Sequence, residues 1–552
     1  MKHILLYFIP LVLFLNCKEK EVVISTEKEN APFVWEAANL YFLLTDRFNN
    51  GDTANDINFD RTLEAGKLRG FEGGDLKGVT QKIEAGYFTD LGINAIWMTP
   101  VVEQIHGATN EGTGLTYGYH GYWASDWTSI DPNFGTKEDL KQLVEAAHKK
   151  GIRILLDAVI NHTGPVTESD TVWPEAWVRT GPPCDYQSYK GTTACTLVEN
   201  LPDIKTERNE AVELPPHLVN KWKQEGRFEQ EQAELNAFFQ RTGYPKAPRF
   251  YIMKWLTDYI TEFGIDGYRV DTVKHTEPYV WQEFKKECDN AFAEYKKSHP
   301  DKVLDTNNFY LVGEVYNYGI SAKTTFDFGD NQVNYFDNAF NSLINFDFKW
   351  NAAQQDYETV FKRYSSILNS DLKGYSILNY VSSHDDGNPF DAKREKTMEA
   401  GTKLLLAPGT SQVYYGDELA RSLTVGGTEG DAALRSVMNW DALQTDAKAK
   451  AILKHWQKLG RFRANHPAVG AGAHQQLTKK PYSFSRIYSN KNYTDAVVVG
   501  LDLPKGEKIL DVSKVFKDHD KVHDAYSNQT VLVKKGQVVI NSNETIVLLE
   551  KE

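Results

Sequence analysis

The sequence predicts an α/β fold: a closed (β/α)8 TIM barrel with a segment inserted after its third strand and a C-terminal antiparallel β-sandwich. Three observations predict it. From about residue 39, short apolar runs alternate with amphipathic helical stretches, the pattern of a parallel sheet, and eight such runs fit a closed barrel. A single long gap, residues 161–248, breaks the alternation between the third run and its helix. After residue 459 long helical stretches give way to alternating runs alone.

The chain opens with Lys2, His3 and the apolar run "ILLYFIPLVLFL", followed by Asn16 and Cys17. A basic start and a short apolar core read as a secretory signal, shorter than a membrane span. A Cys directly after such a core resembles the lipobox of bacterial lipoproteins, where the signal (residues 1–17 here) is cut and the Cys acylated. Asn16 stands where a small residue is usual. Residues 18–34 are polar and read as a flexible tether.

The barrel is expected over residues 35–160 and 249–458. Its runs are "NLYFLL", "INAIWM", "IRILLD", "IDGYRV", "NFYLVG", "NYFDNAF", "YSILNYV" and "TSQVYYG". The sixth is polar and aromatic rather than β-branched. The helical stretches "KEDLKQLVEAAHKKG" and "FYIMKWLTDYITEFG" each end in Gly, a common helix stop. Residues 161–248 are rich in Pro, Gly and Thr, then charged, and are long enough for a subdomain. Residues 459–552 carry "YSFSRIYS", "DAVVVGLDL", "QTVLVKKGQVVI" and "ETIVLLE", which alternate as sandwich strands do.

With 552 residues, 41% of them hydrophobic, the chain can bury a large core and exceeds one ordinary domain. The formal net charge of −13, without a basic run, argues against nucleic acid. Of four cysteines, Cys184 and Cys195 bracket a polar loop and are a candidate disulfide pair in an exported chain. Cys288 lies in a helical pattern and reads as a packed thiol. No CxxC or zinc spacing occurs.

Barrel chemistry sits at the C-terminal ends of the strands. Run three leads into Asp157, Asn161 and His162. Run four carries Arg269 and Asp271, then Lys274 and His275. Run five ends in Glu314, and run seven in His384, Asp385 and Asp386. Residues two apart on a strand face one side, so Arg269 lies beside Asp271 and favours its ionised form, as a nucleophilic carboxylate needs. Glu314 follows an apolar run, and a desolvated carboxyl keeps its proton and serves as an acid. Two carboxylates tuned oppositely are the signature of glycoside hydrolysis.

Five stretches, "DAVINH", "LPDIK", "GYRVDTVKH", "GEVY" and "SSHDD", occur in order. Together they make residues 35–552 resemble the α-amylase family of glycoside hydrolases. The resemblance implies a domain B over 161–248. It makes Asp271 the nucleophile, Glu314 the general acid and base, and Asp385 the carboxylate that holds the sugar's 2- and 3-hydroxyls. It places His162, Arg269 and His384 around the cleaved sugar. In "YHGYW" it makes Tyr122 the ring stacked on that sugar and His120 a hydrogen-bond donor to it. Lys274 and His275 fall on the leaving-group side. The implied partner is an α-glucan, starch or a maltooligosaccharide.

The same resemblance implies Ca2+. The loop "NNGDTANDINFD" is similar to the N-terminal calcium loop of cyclodextrin glucanotransferases, which makes Asn50, Asp52, Asn55, Asp56, the Gly73 carbonyl and Asp75 ligands. A second calcium, between barrel and insert, would take Asn161, Asp203 and the His275 carbonyl. Hydrolysis is favoured over transfer for three reasons. The chain ends after one sandwich. "LPDIK" resembles typical α-amylases. Glu199 falls where glucanotransferases carry a central aromatic. A cyclomaltodextrinase-like or maltogenic enzyme, or a transglycosylase, is the alternative. The expected location is the bacterial cell envelope, lipid-anchored, at the outer membrane.

Overall fold

The computed structural model describes residues 31–490 and 493–552. The expected signal, the acylated Cys17 and most of the tether lie outside them. Eight parallel strands close a barrel: β1 Asn39–Leu43, β2 Ala95–Met98, β3 Arg153–Ala158, β4 Gly267–Val270, β5 Tyr310–Gly313, β6 Ser342–Asn345, β7 Ser376–Tyr380 and β8 Thr410–Tyr414. Each pairs with its chain neighbours, and β1 closes on β8. Every residue of these strands is buried, as expected where helices cover a parallel sheet.

Helix stops follow the local chemistry. Thr136 and Asp139 form a reciprocal capping box at the start of helix Lys137–Lys149. Helix Pro248–Phe263 ends on Gly264 at φ 73°, and a Cβ there would sit 2.1 Å from the Tyr295 ring, so both backbone and packing require glycine.

The sixth strand is not where the sequence reading put it. "NYFDNAF" contains helix Tyr335–Asn338, because the Asn334 side chain accepts from the Phe336 and Asp337 amides and starts a turn. The strand follows, at Ser342–Asn345. The boundary expected at 459 likewise falls inside helix Ala447–Asn465, and the first C-terminal strand begins at Ala473.

Between β3 and helix Pro248–Phe263 the inserted segment holds a two-stranded pair (Val178–Arg179 with Asp203–Ile204) and helices Pro216–Gln224 and Phe228–Thr242. Cys184 and Cys195 are disulfide-bonded within it, and Cys288 is free and buried. Arg249 ties the segment to the barrel through the carbonyls of Thr206 (3.1 Å) and Arg208 (2.6 Å).

The C-terminal strands are β9 Ala473–Thr478, β10 Tyr482–Asn490, β11 Tyr493–Leu501, β12 Gly506–Asp511, β13 Lys521–Asp524, β14 Gln529–Leu532, β15 Gln537–Ser542 and β16 Val547–Lys551. They form a six-stranded antiparallel sheet, in the order β9-β10-β11-β16-β13-β14, and a β12–β15 pair. His466 joins these strands to the barrel's last helix. Its ring contacts Asp495 at 2.8 Å and Glu550 at 2.6 Å, and this pairing outweighs burial and raises its pKa to about 9.

Candidate active site

The barrel register explains why charge gathers at one mouth. In β4, Arg269 pairs laterally with Asp157 of β3 and Val312 of β5. Its buried guanidinium therefore reaches three carboxylates. Nη1 donates to Asp157 (3.0 Å) and to Asp271 Oδ1 (2.7 Å), and Nη2 lies 3.3 Å from Glu314 Oε2. The guanidinium is charged at any working pH, so it balances the negative charge packed around it.

Asp271 follows β4 directly, and its amide donates to Ala158 of β3 at 3.0 Å. The next residue, Thr272, adopts φ 48°, a costly left-handed conformation for a β-branched residue. That turn aims the Thr272 amide at Glu314 Oε2, 2.9 Å away. Glu314 is buried. Desolvation raises its pKa, Arg269 opposes this, Asp271 and Asp385 add to it, and the net value is about 8. The pair thus offers one carboxylate held on a guanidinium and one carboxyl that keeps its proton at neutral pH.

Asp385 is the open member, with its side chain 36% exposed and 3.6 Å from His384 Nδ1. Its backbone is gripped from both flanks. Arg435 Nε donates to the His384 carbonyl at 3.0 Å. On the other side Asp386 Oδ2 accepts from Tyr380 at 2.6 Å and from the buried Lys349.

The remaining expected residues converge on the same mouth. Tyr122 stacks on His384 (5.3 Å between centroids, 22°) and donates to Asp157 Oδ2 at 2.9 Å. His120 Nδ1 takes the Tyr122 amide at 3.1 Å, and His162 Nε2 contacts the Tyr122 carbonyl at 3.1 Å. Burial lowers the pKa of His120, His162 and His384, so all three are neutral. Lys274 and His275 line a cleft of about 470 Å³ with Tyr186, Thr272, Glu314 and Tyr316. Lys274 Nζ lies 5.1 Å from the Tyr316 ring centre, and His275 Nδ1 lies 3.0 Å from the Thr192 carbonyl of the insert.

Four residues that the sequence reading left without a role belong here: Asp157, Lys349, Asp386 and Arg435. Asp157 accepts from Trp97 Nε1 (3.1 Å), Tyr122 and Arg269, and burial raises its pKa to about 7. Its role is set by the lateral register of β3 on β4. No sequence motif signals that contact.

The two expected calcium sets differ. At the first, Asn50 Nδ2 donates to Asp56 Oδ1 at 2.9 Å, and a Cβ on Gly73 would fall 2.5 Å and 2.7 Å from those atoms. Asn55 Oδ1 is buried without a hydrogen-bond partner. Asp75 takes the amides of Gly51 and Asp52 and caps the following helix, while Asp52 accepts from Ala54 and pairs with Lys77. No group of three His, Cys, Asp or Glu that could hold a metal ion gathers among the described residues. A hard cation here would therefore rest on amide and carbonyl oxygens as well as carboxylates, a donor set that fits Ca2+.

The second set does not fit. The Asp203 carboxylate is paired with Arg179 Nε at 3.0 Å, and Arg179 continues to Glu207 at 2.5 Å. Asn161 Oδ1 takes Thr276 Oγ1 at 3.3 Å. A guanidinium already supplies the positive charge that a second calcium would bring.

A barrel that delivers one acid held on a guanidinium, one buried carboxyl and a third acid to one mouth defines a glycosidase-type site. Residues 42–458 match the family described as "Alpha amylase, catalytic domain". The periplasmic alpha-amylase of Escherichia coli (strain K12) is 35% identical over 522 residues, covering 84% of this chain and 72% of that protein. The cyclomaltodextrin glucanotransferase of Geobacillus stearothermophilus is 28% identical, and the match spans 84% of this chain but 59% of that enzyme. The chain belongs to the alpha-amylase family of glycoside hydrolases. Two solved structures share the fold across 93–94% of this chain and 99% of theirs. They are an alpha-amylase from Geobacillus thermoleovorans complexed with acarbose (TM-score 0.63, 22% identity) and a cyclomaltodextrin glucanotransferase with a three-domain ABC distribution (TM-score 0.61, 21% identity).

Proposed function

We propose that the protein is a retaining, endo-acting α-1,4-glucan hydrolase that cleaves starch or maltooligosaccharides. The observation that carries this reading is the Arg269 guanidinium shared by Asp271 (2.7 Å) and Glu314 (3.3 Å), with Glu314 kept protonated by burial. One guanidinium touching both groups suits the short carboxyl separation, about 5 Å, of a retaining pair.

In the first step Asp271 attacks the anomeric carbon and Glu314 gives its proton to the departing glycosidic oxygen, leaving a glycosyl ester on Asp271. In the second, Glu314 takes a proton from water, the hydroxide oxygen bonds to the anomeric carbon, and the Asp271 carboxylate is released. Asp385, its backbone held from both flanks and its side chain exposed, is placed to take sugar hydroxyls, and Tyr122 offers a ring face to the sugar. Calcium on the Asn50–Asp56 loop and Gly73 would supply rigidity there, away from the chemistry.

The alternative is a cyclomaltodextrinase-like or maltogenic enzyme, or a transglycosylase. It is favoured by similarity to several cyclomaltodextrin glucanotransferases, one of which carries three domains. A short domain count therefore does not separate the two reactions. Glu199, at the position where glucanotransferases carry a central aromatic, favours hydrolysis.

Incubation of soluble starch with the protein and with Asp271→Asn tests the reading. New reducing ends with the first alone support it, and none with either overturns it. Chromatography of products separates the alternatives: cyclic glucans identify a transferase, and maltose alone a maltogenic enzyme. Export is suggested by similarity to a periplasmic enzyme and lipid anchoring by Cys17, and the anchor is tested by detergent partition of the natural chain against Cys17→Ser.

A further inference from the structure

Of the twelve tryptophans, Trp350 alone is exposed, at 47%; Trp440 is half-buried and the rest are buried. An indole left in water offers a large apolar face for stacking. Trp350 follows β6, and the residue before it fixes its place. Lys349 is buried, donates to the Asp386 carboxylate next to Asp385, and lies 4.8 Å from the Trp350 ring centre. Tyr316, at the end of β5, is 48% exposed and lines the cleft with Glu314 and Lys274. Its ring meets Phe346 at 5.2 Å, and Phe346 meets Tyr380 at 5.8 Å, the same Tyr380 that holds Asp386. Tyr316 and Trp350 are thus the two solvent-facing ends of one continuous packed chain, delivered by neighbouring strands.

We propose that Trp350 is an outlying subsite for the glucan, stacking a pyranose ring that lies beyond the cleft lined by Tyr316. The argument rests on the α-glucan reading above. The ligand class follows from the chemistry. A glucose ring presents an apolar C–H face to an indole and hydroxyls to its rim, and a chain already seated in the cleft brings its next units past Tyr316 at no further cost in translational freedom. No helix of the described residues is long and apolar enough to cross a membrane, so Trp350 is not part of a membrane-spanning helix in this part of the chain.

The test is chain-length dependence. The ratio of kcat/KM for maltoheptaose over maltotriose is measured for the natural protein, Trp350→Ala and Trp350→Phe. Loss of one stacked ring lowers that ratio about three- to tenfold in Trp350→Ala, and Trp350→Phe recovers most of it. An unchanged ratio in Trp350→Ala overturns the proposal. Maltoheptaose is also titrated into Asp271→Asn and into Asp271→Asn with Trp350→Ala. If Asp271→Asn binds no maltoheptaose, the α-glucan reading itself fails. If both bind equally, only the Trp350 subsite fails.

Discussion

Arg269 and Glu314 sit 3.3 Å apart, guanidinium to carboxyl, yet burial raises the Glu314 pKa to about 8. Two consequences of pH follow. An acid catalyst is lost when it ionises, so kcat/KM on maltoheptaose is expected to fall about tenfold per pH unit above that value. A pH–rate profile that stays flat to pH 10 contradicts the assignment. Stability moves in the same direction. The folded carboxyl holds its proton above the unfolded value of 4.5, so the folded state loses stability as pH rises from about 4.5 to about 8. Glu314→Gln, which cannot ionise, is expected to gain melting temperature over the natural protein at pH 8 relative to pH 5.

Asp157 is expected to matter for rate although it stands behind the reacting pair. It anchors Arg269 and the Tyr122 hydroxyl together. Asp157→Asn keeps the shape but removes the charge, which frees Arg269 to shift toward Asp271 and Glu314. A displacement of the order of 1 Å costs about 10²-fold in kcat, with KM less affected. Kinetics at the natural level would show that Asp157 is only a packing residue.

The Lys349–Asp386 contact predicts a coupled loss of stability and rate. Lys349→Met leaves the partly buried Asp386 carboxylate with Tyr380 as its remaining side-chain partner, at a cost of about 1–3 kcal/mol. It also releases one flank of Asp385. Lys349→Arg keeps the charge and is expected to retain more activity than Lys349→Met. Equal unfolding midpoints in urea for all three proteins would refute the clamp.

Metal analysis after exhaustive dialysis against a low concentration of Ca2+ is expected to return one calcium per chain. Chelation is expected to lower the melting temperature, since a ligand at 100 times its Kd stabilises by about 2.7 kcal/mol. Asn55→Ala is expected to abolish that shift, and Arg179→Ala to leave it in place. Two calcium ions per chain would contradict the Arg179–Asp203 pairing.

What could be read from the sequence was whatever is contiguous along the chain. Asp271, Glu314 and Asp385 each follow an apolar run, so strand and catalytic group are visible together. Asp157 was visible as a residue but not as a partner, because its contact with Arg269 is made across strands. Lys349 and Arg435 come from the short helices Phe348–Gln354 and Gly430–Arg435, which carry too little periodicity to be read, and meet the site only after the barrel closes. The sixth strand was missed because four residues, Ser342–Asn345, carry too little alternation to outrank the aromatic stretch before them. The Arg179 contact at the second calcium set was hidden for a related reason: nothing near Asp203 in sequence shows that Arg179 lies beside it.

The bond between Cys184 and Cys195 encloses Tyr186, one of the residues lining the cleft beside Lys274 and Glu314. Part of the wall that meets the departing sugar is therefore a covalent ring, closed by chemistry that a reducing compartment does not provide. The bond fixes the loop that carries Tyr186 independently of the barrel strands that carry Asp271 and Glu314, so one wall of the cleft and its carboxylates are held by different means.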